Sequence, residues 1–173
     1  MTETVYVGLG SNLGDRAQFL RDALQEIHGY KDVHVAAVSS VYETEPVYFG
    51  EDDSLQGKFL NVVAKLDACC DPERLLQWLI ETERALGRIR NQKWGPRKID
   101  LDLLLYGDRV VESNDLRVPH PEIANRAFVL VPLAELSPEA KHPVLEKSVA
   151  QLLNECDTSG VKRLEVTIWN EPS

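Results

Sequence analysis

The feature that most limits the folds open to this chain is a pair of period-two runs separated by one helical stripe. From about Lys58 to Ala68, Leu60, Val62, Ala64 and Leu66 alternate with Phe59, Asn61, Val63 and Lys65. From Lys98 to Tyr106, Ile99, Leu101, Leu103 and Leu105 alternate with Asp100, Asp102 and Leu104. Such alternation is the mark of a strand that buries one side. Between the runs, Asp71-Pro72 reads as an N-cap followed by Pro at the first helical position, and Gly87 as the stop. Leu75, Leu76, Leu79, Ile80, Glu83 and Leu86 trace the buried stripe of that helix.

The N-terminal half has the same arrangement. Val5, Val7 and Leu9 alternate with Tyr6, Gly8 and Gly10 in a first strand, and the stretch from Gly10 to Asp15 reads as a tight turn with Asp15 as N-cap. A helix with Leu20, Ala23, Leu24 and Ile27 on one face should end near Gly29. A second strand is expected from about Val33 to Thr44, then an acidic, Gly-containing loop from Glu45 to Gly57. The order βαββαβ predicts an α+β fold of ferredoxin-like type, an antiparallel sheet with helices on one face. Residues 107–173 form a C-terminal extension, with short helices around Asn125–Leu136 and Lys147–Cys156 and a last strand near Arg163–Trp169. At 173 residues, a single domain over 1–173 is expected.

Charge narrows the functional classes. The net charge of −9 argues against a general nucleic-acid binder, whose affinity rests on phosphate contacts. Yet residues 84–98 hold six basic residues and no acid, which leaves 13 basic against 28 acidic residues elsewhere. An anion is expected to sit at that island. No apolar run is long enough to span a membrane, and the N-terminus lacks the pattern of a signal peptide. Cys69, Cys70 and Cys156 are odd in number and wrongly spaced for a disulfide framework or a zinc site; they read as small reduced core residues, which suits the cytoplasm.

If the leucine rows pack on the helices, Phe59, Asn61, Asp100 and Asp102 share the opposite, open face. Two carboxylates two residues apart on a strand have Cβ atoms roughly 7 Å apart. Held so, they repel unless a cation takes them up. Hard oxygen ligands beside a basic loop are what a Mg²⁺–nucleotide site requires. Within that loop, Trp94-Gly95-Pro96 places an aromatic among Arg88, Arg90, Lys93, Arg97 and Lys98, as suits a lid that closes on a ligand. Glu83 interrupts an apolar stripe and needs a partner if buried. His120 is fixed between Pro119 and Pro121. The Gly8-x-Gly10-x-x-x-Gly14 loop lacks the dinucleotide spacing and a phosphate-binding Lys, and reads as a structural turn.

These blocks together resemble the 6-hydroxymethyl-7,8-dihydropterin pyrophosphokinase family. The resemblance runs from about Val5 to Pro143. It rests on Gly10-Ser11-Asn12-Leu13, on the stretch from Ser40 to Pro46, on Phe59-Leu60-Asn61 and on Gly87-Arg88-Ile89-Arg90. The most specific blocks run from Trp94 to Asp102 and from Val118 to Pro121, the latter followed by Arg126-x-Phe128. It implies transfer of pyrophosphate from ATP to the pterin hydroxymethyl group, with release of AMP. By position it implies Asp100 and Asp102 as ligands of two Mg²⁺ ions, and Arg88 and Arg97 as catalytic charges on the transferred group. Thr44, Val47, Phe59, Asn61, Trp94 and Phe128 would hold the pterin. Glu83, Arg90, Lys93, Leu103, His120 and Arg126 would contact ATP. The implied partners are these small molecules, with no nucleic acid, membrane or obligate protein partner. An RNA-binding module is disfavoured by the two acids on its would-be binding face. A nucleotidyltransferase would share the acids but release pyrophosphate instead of AMP.

Overall fold

The computed structural model describes residues 1–45, 57–87 and 99–170. Strand β1 (Glu3–Ser11) leads into helix α1 (Arg16–His28), whose N-cap Asp15 accepts from the Gln18 N–H at 3.2 Å. Strands β2 (Val33–Val38) and β3 (Val41–Thr44) follow, then β4 (Phe59–Ala68), α2 (Pro72–Ala85) and β5 (Asp100–Tyr106). A two-stranded ribbon, β6 (Val111–Glu112) with β7 (Arg117–Val118), precedes a 3₁₀ turn at Ile123–Asn125. Helices α3 (Ala127–Leu136) and α4 (Val149–Asn154) and strand β8 (Val161–Leu164) complete the order.

The main sheet runs β5-β1-β4-β3-β8, with β2 also paired to β4, and its pairings are antiparallel. Taking β2 and β3 as one broken strand, this is the expected ferredoxin-like arrangement, with β8 added beyond its edge. The expected single strand from Val33 to Thr44 is interrupted at Ser39 and Ser40. There the Ser39 N–H donates to the Val63 carbonyl, and Ser39 Oγ accepts from the Val63 N–H, both at 2.9 Å. One serine thus takes over a ladder position with its side chain, and the strand breaks beside it.

Val5, Val7, Leu9, Leu60, Val62, Ala64 and Leu66 pack against Leu20, Leu24, Ile27, Leu75 and Leu79 of α1 and α2. The two helices cover one face, as the alternation requires. Gly87 closes α2 at φ 91°, a left-handed position that a side chain would strain.

The opposite face departs from expectation. It is covered at one end by a second core in which Tyr6, Val63, Leu104 and Leu105 pack against Ile123, Val129, Leu130, Leu133, Val149 and Leu152. Leu105 was expected toward the helices with Leu101 and Leu103. A bulge in β5 explains the change: Val7 pairs with Leu103 but Tyr6 pairs with Leu105, so Leu104 is the extra residue. Leu104 and Leu105 then face the same side, and Tyr106 turns to the helix layer.

The last strand ends at Leu164, short of the expected Trp169, because Ile168 leaves the sheet edge to bury itself in the helix-side core. The three cysteines are free, as expected, but Cys69 is exposed and not a core residue. Among the described residues no helix is long and apolar enough to cross a membrane.

The second core makes a measurable claim about the extension. Leu130→Ala removes a fully buried side chain of α3 and should cost about 2–5 kcal/mol of unfolding free energy in urea titration, as for a core leucine. A loss under about 0.5 kcal/mol would mean that α3 is a surface appendage.

Candidate active site

Partners in an antiparallel pair project to the same face, so register lays out rows across the sheet. Tyr42 of β3 pairs with Asn61 of β4, Asn61 with Gly10 of β1, and Gly10 with Asp100 of β5. The adjacent row runs Val63, Gly8, Asp102, and on the other side Thr44 pairs with Phe59. Phe59, Asn61, Asp100 and Asp102 therefore share one face, as the alternation predicts.

Gly8 and Gly10 are not turn residues. They lie inside β1, and Gly14 is the member of that glycine series with positive φ. Their role is spatial. A Cβ on Gly10 would stand 3.0 Å from Asn61 Oδ1 and 3.5 Å from Phe59 Cδ1. A side chain there would displace the amide. Gly10 thus leaves room for the Asn61 amide and the Phe59 ring beside the carboxylates, while the Leu104 side chain lies over Gly8. The period-two placement of Gly8 and Gly10 with Tyr6 was the signal in the sequence that pointed to this.

Asn61 is 6% exposed, and its Nδ2 donates to Thr44 Oγ1 at 2.8 Å. Buried amides and hydroxyls that hold each other in this way present a fixed edge of donors and acceptors. At the start of α3, Arg126 sets one guanidinium nitrogen 3.8 Å from Asp102 Oδ2 and places its Cζ 5.6 Å from the centre of the Phe128 ring. This residue ties the acid pair to the aromatic.

His120 is anchored by its backbone N–H, which donates to the Leu104 carbonyl of β5 at 2.9 Å. Its Nδ1 accepts from the Glu122 N–H at 3.1 Å, so the proton of the neutral ring sits on Nε2, which is left as a donor. Burial, and then the Arg126 charge, lower its pKa below the ordinary 6.5, against smaller opposing effects of Glu122 and Asp100.

Comparison with known proteins decides the family. Residues 6–138 match 7,8-dihydro-6-hydroxymethylpterin-pyrophosphokinase (HPPK). The chain belongs to the HPPK family. It is 39% identical over 173 residues to the 2-amino-4-hydroxy-6-hydroxymethyldihydropteridine pyrophosphokinase of Bacillus subtilis, covering all of this chain and 94% of that one. It is 40% identical over 160 residues to the protein of the same name from Methylorubrum extorquens, covering 92% and 98%. It is also 41% identical over 148 residues to the folic acid synthesis protein fol1 of Pneumocystis carinii, of which it spans 19%. Among solved structures, a Plasmodium falciparum HPPK-DHPS superposes with a TM-score of 0.74 at 17% identity, over 96% of this chain and 49% of that one. The wild-type protein gives 0.69 at 17% identity, over 90% and 45%. At such identity these structures show the shared fold. The chain spans about half the length of these solved chains. As a member of the HPPK family it is an enzyme, a transferase of the pyrophosphokinase class.

The remaining positions that the HPPK family resemblance implied fall differently. Leu103 buries its side chain in the helix-side core, so what it offers the acid face is its main chain. Glu83 is 3% exposed on α2, the buried carboxylate that its place in the stripe predicted. Val47, Arg88, Arg90, Lys93, Trp94 and Arg97 lie outside the described residues. Among the described residues no group of three or more His, Cys, Asp or Glu is placed to hold a metal. Two carboxylates fit Mg²⁺ all the same, since that ion is held by one or two carboxylates together with substrate phosphates and water.

The lowered pKa of His120 fixes a pH dependence. The unfolded chain takes up the imidazole proton near 6.5, before the folded chain does. Stability therefore falls as pH drops from about 6.5 through the lowered folded value, and levels off below it. In an NMR titration His120 should have its midpoint below 6.5, and Arg126→Ala should move that midpoint upward. A midpoint unaffected by Arg126→Ala would show that the guanidinium does not act on the ring.

Proposed function

We propose that residues 1–173, acting as one domain, catalyse Mg²⁺-dependent transfer of pyrophosphate from ATP to 6-hydroxymethyl-7,8-dihydropterin, giving AMP and the pterin diphosphate in folate biosynthesis. The observation that carries this reading is the row Asn61–Gly10–Asp100. It sets a fixed amide edge and a carboxylate on either side of a bare strand, two strand spacings or about 10 Å apart. That span suits a flat heterocycle at one end and a polyphosphate at the other. Membership of the HPPK family, and the pterin and folate in the names of the relatives, support the choice of substrates.

In this reading Asn61 and Thr44 read the polar edge of the pterin, joined by the main chain at Val47, and Phe59 and Phe128 stack on its faces. Asp100 and Asp102 would hold Mg²⁺, which supplies neutralisation of phosphate charge and a lowered pKa for a coordinated hydroxyl. Arg126, freed from Asp102, turns to phosphate, and His120 donates from Nε2. Arg88 and Arg97 stabilise charge on the transferred group; Glu83, Arg90, Lys93 and Leu103 hold the nucleotide; Trp94 closes with its loop. The pterin hydroxyl attacks the β-phosphorus in line and AMP departs. Such a transfer needs position and charge more than a protein nucleophile.

The direct test is incubation with Mg-ATP and hydroxymethyldihydropterin, with chromatography for products. AMP is expected; pyrophosphate in its place would make the protein a nucleotidyltransferase. Asp100→Ala and Asp102→Ala should abolish turnover with an unchanged far-ultraviolet dichroism spectrum, since the leucine face holds β5 in place. Wild-type turnover in either would remove the metal assignment. Phe59→Ala and Phe128→Ala should each weaken pterin binding by about 1–3 kcal/mol, the scale for losing a stacking platform. Arg97→Ala should lower the single-turnover rate by about 10²-fold or more with ATP affinity little changed. Weakened ATP binding with a normal chemical step would make the basic island an electrostatic funnel.

A further inference from the structure

Helix α3 carries a contact that neither the acid row nor the pterin reading uses. The Glu135 carboxylate accepts from the Tyr42 hydroxyl at 2.6 Å, from the Ser40 N–H at 2.9 Å and from the Ser40 hydroxyl at 3.1 Å. These groups sit where β2 breaks from β3 and at the start of β3 just beyond the break. Tyr42 is 7% exposed, so its hydroxyl needs a partner. Burial and the neighbouring carboxylate push its pKa up to about 12, which keeps it a donor.

The placement of these residues gives the contact its meaning. Glu135 lies seven residues after Phe128 on α3, close to two full turns, so both project from one stripe of the helix about 10 Å apart. Tyr42 lies two residues before Thr44 on β3 and projects to the same face of the sheet, in the row of Asn61. One contact therefore joins the helix that carries Phe128 to the strand that carries Thr44. The rest of the α3 interface with the sheet is largely apolar: Val129, Leu130 and Leu133 against Tyr6, Val63, Leu104 and Leu105. Apolar packing is non-directional and does not by itself fix how far the helix sits along the sheet. Directional bonds gather at the C-terminal end of the helix, where Tyr6 OH also donates to Ser137 Oγ at 2.6 Å. Phe128 stands at the other end.

We propose that Glu135, acting through Tyr42 and Ser40, is a positioning residue that sets the gap between the Phe128 ring and the Thr44–Asn61 pair, and so tunes affinity for the pterin. The inference rests on the pterin reading of that gap. Its test measures binding of 6-hydroxymethylpterin, with a non-hydrolysable ATP analogue present, to the full chain and to Glu135→Gln, Tyr42→Phe, their double variant and Phe128→Ala. Binding of the nucleotide analogue alone and steady-state rates are measured alongside.

Glu135→Gln and Tyr42→Phe should each weaken pterin binding about tenfold, the scale on which residues without ligand contact modulate a site. Nucleotide affinity should change by less than about twofold. KM for the pterin should rise while kcat is kept, and the double variant should bind about as well as the worse single variant, because both substitutions cut one contact. Normal pterin affinity in both single variants while Phe128→Ala binds weakly would overturn the positioning role and leave the pterin reading standing. Equal loss of pterin and nucleotide affinity would also overturn it, by showing a general loss of structure. Normal pterin affinity in Phe128→Ala would overturn the pterin reading of the gap, and the positioning role with it.

Discussion

The site depends on the register of one strand. β1 is central, paired to β4 on one side and β5 on the other, and Gly10 is the partner of both Asn61 and Asp100. Beside the carboxylates little on the acid face specifies that register, because β1 presents Gly8 and Gly10 there and only Tyr6, further along, is packed on that side. What specifies it is the other face, where Val5, Val7 and Leu9 are buried against α1 and α2. A slip of β1 by one residue would turn Val5, Val7 and Leu9 to the acid face and Tyr6, Gly8 and Gly10 toward the helices. Hydrophobic burial on one side of the sheet thus holds the polar geometry on the other.

The acid face has two regimes along its length. At one end it is polar, with Asp100, Asp102 and Asn61. At the other it is apolar, with Tyr6, Val63, Leu104 and Leu105, and there α3 and α4 settle. The β5 bulge makes this division sharper, since it turns two consecutive leucines to the same side. The placement follows from desolvation: Asp100 and Asp102 stay half-buried, and covering them fully with a helix would add the cost of taking two carboxylates out of water. Docking of α3 beyond the acids brings Arg126 up to Asp102 and Phe128 beside it without burying the pair. The extension is thereby part of the candidate site, although most of its length contributes packing and not chemistry.

The Plasmodium falciparum structures share this fold at 17% identity. A face that needs apolar residues of suitable volume tolerates wide replacement. The fold can therefore persist while its core changes.

Much of this was legible from residues alone. Period two in 58–68 and 98–106 placed Asn61, Phe59, Asp100 and Asp102 on one face, and the capping and stripe residues located both main helices. Local periodicity suffices for this because side-chain direction follows backbone geometry. The two glycines were harder to read, since a glycine in a strand and a glycine in a turn look alike until the neighbouring strand is known. The bulge at Leu104, the break at Ser39, the second core, and the contact from Glu135 to Tyr42 were decided by tertiary structure. Each depends on which segments meet across long separations in the chain, and that is set by packing volume and by the pairing of buried polar groups. Direction was written in the sequence up to the bulge at Leu104; proximity was not.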